Sequence, residues 1–136
     1  MVDVINCLKI RQKSMENQVI PIYTSKGDAL AFLRYPYLHN RTGDWIGFVN
    51  SQREVYSVLG YYVGILTSDP RIIRCRSGEY KPRLKPPIHP PTLRISPTVP
   101  LAKLMSDLGH QHLDVLLDEP ELLHTLDAGE LRSDLD

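Results

Sequence analysis

A glycine-led heptamer restricts this chain more than any other feature: GDALAFL at 27–33, GDWIGFV at 43–49 and GYYVGIL at 60–66. The surrounding units read Ile22-Tyr23-x3-Gly27-x3-Ala31-Phe32-Leu33, Leu38-His39-x3-Gly43-x3-Gly47-Phe48-Val49 and Val55-Tyr56-x3-Gly60-x3-Gly64-Ile65-Leu66. A fourth begins at Ile73-Arg74, reaches Gly78 and dissolves into EYKPRLKPP. Each unit predicts strand, glycine turn, strand. Gly27, Gly43, Gly60 and Gly78 stand where a hairpin loop needs positive φ, which glycine adopts without steric cost. The second small residue (Ala31, Gly47, Gly64) falls inside a strand. That predicts close approach of another backbone, or a crowded centre. Strict alternation puts Leu30/Phe32, Ile46/Phe48 and Val63/Ile65 on one face, and Leu33, Val49 and Leu66 with the small residue on the other. Both faces are then largely apolar. A lone hairpin is marginal in water, so the units must pack on one another. The expected fold is all-β: repeated antiparallel β-hairpins around a small centre.

Four segments follow from this. Residues 1–19 are expected to be a disordered extension, with Met15 as an alternative start, and 20–80 to form the hairpin domain. Seven of the nineteen positions at 82–100 are proline, which predicts a stiff proline-rich linker at 81–100. Residues 101–136 read as an acidic tail of short helices: Leu101, Leu104 and Leu108 at helical spacing before Gly109, then HLDVLL, then DEPELL with Asp118 as a cap and Pro120 in a first turn. The net charge of zero is a cancellation, +1 over 1–70, +6 over 71–100 and −7 over 101–136. That polarity predicts a loose, salt-sensitive dock of tail on basic strip.

The stretches IYTSKGDALAFL, YLHNRTGDWIGFV and VYSVLGYYVGIL, with the short IIRCRSG behind them, resemble the four-fold β-flower family of small bacterial domains. A weaker similarity is to PRC-barrel domains. The resemblance implies a fold and brings no catalytic residues with it. The third unit departs from the pattern, because VLGYY replaces the polar turn.

Chemical motifs are sparse. HQHLD at 110–114 resembles the zinc-binding stretch of metallo-β-lactamase-like hydrolases. However, Val115 stands where histidine belongs, and only 22 residues follow to supply distant ligands. Cys75 between Arg74 and Arg76 is read as an incidental thiol, and Cys7 and Cys75 as reduced in a cytoplasm. No apolar run approaches the ~18–20 residues of a membrane span. No enzyme activity, catalytic residue, metal or cofactor is therefore expected.

A non-enzymatic interaction or scaffold module with an unknown protein partner is the expected function, and a second copy of the chain is one candidate. Trp45, Tyr61 and Tyr62 flank equivalent turns and are candidates for partner binding, as are Leu113, Leu116 and Leu122 in the tail. The alternative is a nucleic-acid-associated protein using Arg71, Arg74, Arg76, Lys81, Arg83 and Lys85. It ranks second, because the basic strip holds one aromatic and the acidic tail competes for it.

Overall fold

The computed structural model of the chain describes residues 18–78 and 81–126. The expected extension, apart from Gln18 and Val19, lies outside the described residues, as do Cys7, Met15 and the tail beyond Leu126. Eight strands form one antiparallel sheet in sequence order: β1 (Ile20–Tyr23), β2 (Ala29–Arg34), β3 (Tyr37–Asn40), β4 (Trp45–Val49), β5 (Glu54–Ser57), β6 (Tyr62–Leu66), β7 (Ile72–Cys75) and β8 (His112–Asp114). A one-turn helix α1 (Val115–Asp118) and a 3-10 turn (Pro120–Leu122) follow. The fold is all-β, as the repeat predicts.

Each hairpin turn is built the same way. The amides of Gly27, Gly43, Gly60 and Gly78 donate to the carbonyls of Thr24, Asn40, Ser57 and Cys75 at 2.9–3.1 Å, and all four glycines have positive φ. The side chains of Thr24, Asn40 and Ser57 accept from the amides two and four residues onward. A short polar side chain that bonds its own turn is the local cause of the reversal.

One residue in each hairpin breaks the pairing. The register shifts between Ile22 and Tyr23, between Leu38 and His39, and between Val55 and Tyr56, so Leu30, Ile46 and Val63 have no partner across the hairpin. Such a bulge bends the strand and resets its alternation. Ile46 and Val63 therefore join Ala31, Leu33, Val49 and Leu66 in the core, with Leu30 packed against it. This corrects the two-face reading, which grouped them with Phe32, Phe48 and Ile65. The sheet curls until β1 returns to β7: the Tyr23 amide donates to Pro70 O at 3.1 Å. Beside it, the amide and hydroxyl of Ser25 both donate to Asp114 Oδ2, at 2.6 and 2.8 Å.

The tail is a larger correction. β8 pairs with β7 (Ile73↔Asp114, Arg74↔Leu113, Cys75↔His112) and so supplies the second strand of the fourth hairpin, after a long excursion. Behind it, Val115, Leu116 and Leu123 fill the centre with Ile22, Leu38, Val55 and Ile72. Residues 112–123 therefore belong to the same core as 20–78. Three hairpins leave the edge of β7 unpaired and the centre open, and burying those groups holds the tail in place. No helix forms at 101–109. Leu101 and Leu104 face solvent there, and a short helix with no face to bury is unstable. Pro120 does open a 3-10 turn, but Glu119 rather than Asp118 precedes it and no side chain caps it.

Candidate functional site: a strap across the hairpin turns

The proline-rich segment is a strap lying across the outside of the sheet. It passes the hairpin turns in reverse order. The Arg83 Nε donates to Leu59 O at 2.7 Å and the Leu84 amide to Gly60 O at 3.0 Å. The Leu93 amide donates to Gly43 O at 2.9 Å, and Tyr23 Oη to Pro100 O at 2.6 Å. The carbonyl oxygens of Leu84 and Leu93 occupy the space a Cβ on Gly60 and Gly43 would need. Glycine at these turns thus serves twice, allowing the positive φ and admitting the strap. Leu84, Leu93 and Ala102 fall nine residues apart, each followed by a base (Lys85, Arg94, Lys103). A Cβ on Gly27 would lie 3.8 Å from the Ala102 methyl. That nine-residue spacing was a readable signal for the strap.

The three candidate aromatics, Trp45, Tyr61 and Tyr62, do not form one exposed patch. Trp45 is buried: its Nε1 donates to Gly47 O at 2.7 Å, and its ring meets Tyr37 and strap residue His89 edge-on. Tyr62 is half-buried, with its ring 5.7 Å from Tyr56 and Lys81 over it. Tyr61 alone of the three is well exposed, under the Arg83 guanidinium at 5.0 Å. Strap and bulges direct these rings to different places. Among the tail candidates, Leu116 is in the core and Leu113 and Leu122 pack against it, so none presents a free surface.

The basic strip is also dispersed. Arg71 is 2 % exposed, bonded to Asp69 at 2.7 Å, Ser106 O at 2.8 Å and Ser25 Oγ at 3.1 Å. Burial raises the Asp69 pKa, but the hydrogen bonds from Arg71 and Thr67 outweigh it and hold the carboxyl below its usual range. Arg74 reaches Glu119 at 3.4 Å, the one ion pair among the described residues that resembles the expected charge dock. Lys81 reaches Glu54 at 2.7 Å and, with Asn50, lowers that carboxyl's pKa. Arg76 and Lys85 remain exposed. A residue that must fill the gap where the sheet closes, as Arg71 does, cannot also follow a phosphate backbone.

Two polar residues matter more than their sequence context suggested. His39 is buried, with Nδ1 2.9 Å from Gly43 O, and burial lowers its pKa so that the ring is neutral. Its signal was the repeat itself, since it stands where the other complete units carry Tyr23 and Tyr56. Asp114, the carboxylate of HQHLD, is buried and serves as the latch to Ser25, while its Oδ1 has no hydrogen-bond partner among the described residues. His112 precedes it in β8, and no group of three metal-ligating side chains forms among the described residues. Carboxylate and hydroxyl here close a sheet.

No curated protein and no solved structure matches the chain. A family model described as "4-fold beta flower protein" matches residues 20–80, the span of the first three hairpins and β7. Repeat, turns and curled sheet agree with it, and the hairpin region of this chain is similar to the 4-fold beta flower family.

Proposed function

We propose that the protein is a non-enzymatic interaction module that engages a protein partner through the outer edge of its strap. The observation that carries this reading is the display of Ile88, Leu101 and Leu104, which are 87 %, 96 % and 103 % exposed. They project from a segment tied to the domain by Leu84, Leu93 and Pro100. Apolar side chains on an anchored backbone bind with less ordering cost than the same residues on a free chain. Tyr61 and Ile65 add exposed apolar surface on the third hairpin.

The nucleic-acid alternative is weaker, because Arg71, Arg74, Lys81 and Arg83 already have partners within the chain. Two exposed cations, Arg76 and Lys85, would release few counterions. The proposal takes the compartment to be the cytoplasm, where the free thiol of Cys75 stays reduced. Among the described residues, no helix is long and apolar enough to cross a membrane.

The test replaces Ile88, Leu101 and Leu104 together by serine in the full chain. All three are exposed, so the melting temperature should be unchanged. Proteins that the parent captures from its native host, or self-association measured by sedimentation, should be lost. Retention of every partner and of the parent's oligomeric state by this variant would remove the proposal. Parent binding that instead collapses with salt and nuclease treatment would favour the alternative.

A further inference from the structure

The three complete hairpins place Tyr23, His39 and Tyr56 at one equivalent position, opposite Ala29, Trp45 and Tyr62. Tyr23 spans the gap to the strap with its hydroxyl, and Tyr56 stacks on Phe48 with ring centroids 5.4 Å apart. Histidine is shorter than tyrosine and carries no hydroxyl. Where it replaces tyrosine, a cavity of about 240 Å³ lies beneath the strap, lined by His39, Arg34, Tyr35 and Tyr37 and roofed by Pro90 and Leu93.

The chemistry of this cavity is defined at two points. A carbonyl oxygen only accepts, so the Nδ1 that meets Gly43 O carries the proton of the neutral ring. Nε2 is then a lone-pair acceptor, and no side chain or backbone group among the described residues bonds to it. Arg34 forms no ion pair among the described residues and supplies the only positive charge in the lining. Volume sets the ligand's size. Cavities of about 150 Å³ admit benzene, and drug-sized molecules take roughly 300 Å³ or more. A cavity of about 240 Å³ therefore fits one substituted ring.

We propose that this cavity binds a single-ring aromatic acid bearing a hydroxyl group. The hydroxyl donates to His39 Nε2, the carboxylate pairs with Arg34, and the ring lies against Tyr35, Tyr37 and Pro90. The site is separate from the exposed strap residues of the interaction surface, and the two stand or fall independently.

The experiment titrates the full chain, with 15N-labelled histidine, against 4-hydroxybenzoate, benzoate and phenol. Benzoate lacks the donor and phenol lacks the anion. The expected result is a saturable shift of the His39 imidazole resonances, with 4-hydroxybenzoate binding about tenfold tighter than either analogue. Arg34→Gln, a change at an exposed side chain, should bring 4-hydroxybenzoate close to phenol. His39→Tyr, which supplies the residue of the neighbouring hairpins and fills the cavity, should abolish binding and leave the β-type circular dichroism unchanged. Absence of a saturable shift at about 10 mM probe overturns the proposal. So do equal affinities for all three probes, or an affinity for 4-hydroxybenzoate that Arg34→Gln leaves intact.

Discussion

Adding one methyl group at Gly64 should destabilise the protein by about 2 kcal/mol, although alanine suits a strand better than glycine. Backbone entropy alone favours Gly64→Ala by ~0.5–1 kcal/mol, and φ there is not positive, so no conformational strain opposes it. The opposing effect is steric. An ideal Cβ overlaps the carbonyl oxygen of Ile73 and lies 3.0 Å from its carbonyl carbon and 3.4 Å from Arg74 Cβ. The obstruction is backbone, held in the β6–β7 ladder by Ile65↔Ile73 and Leu66↔Ile72, and it cannot rotate aside. Relief requires the strands to part. That costs ~1–3 kcal/mol for overpacking, plus about 1 kcal/mol for each ladder bond that is stretched. The net effect of about 2 kcal/mol corresponds to a fall of roughly 7–9 °C in melting temperature for a domain of this size. Urea denaturation, supported by thermal melts, measures it directly. Ala31→Gly is the companion, since the first hairpin already holds a methyl at the equivalent, fully buried site. It should also destabilise, by loss of burial. A neutral or stabilised Gly64→Ala would refute the close-approach argument.

Two further outcomes test the core and its histidine. Truncation after residue 100 removes β8 with Val115, Leu116 and Leu123, so the remaining fragment should show no cooperative unfolding transition at micromolar concentration. A sharp two-state melt of that fragment would return the tail to the status of an appendage. Burial holds the His39 pKa below 6.5 in the folded chain, so the unfolded chain takes up the proton first. Stability is therefore complete above about pH 6.5 and declines as pH falls toward the folded pKa. His39→Gln should flatten that decline between roughly pH 7 and 5, and an unaltered slope would show that other groups cause it.

Local turn chemistry was legible because it needs only neighbours in sequence. Thr24, Asn40 and Ser57 begin, and glycines close, turns whose hydrogen bonds all lie within five residues. The repeat spacing carried the all-β architecture for the same reason, and the small residues at 47 and 64 marked strands packed backbone to backbone. The site was far less legible. Arg71 looked like part of a surface strip and is buried, because its partners, Ser25 and Ser106, are 46 and 35 residues away. Leu116 and Trp45 looked like partner-binding side chains, and both are buried.

By itself, then, the sequence determined which residues turn and which extend, since steric and short-range hydrogen-bonding rules act on adjacent residues alone. The tertiary structure decided which face each strand buries, through bulges that add one residue and break a period of two. It also decided where the proline-rich segment and the tail belong. Three hairpins leave an unpaired strand edge and an open centre, and only closure of the sheet shows that β8 and the leucines behind it are the groups that fill them.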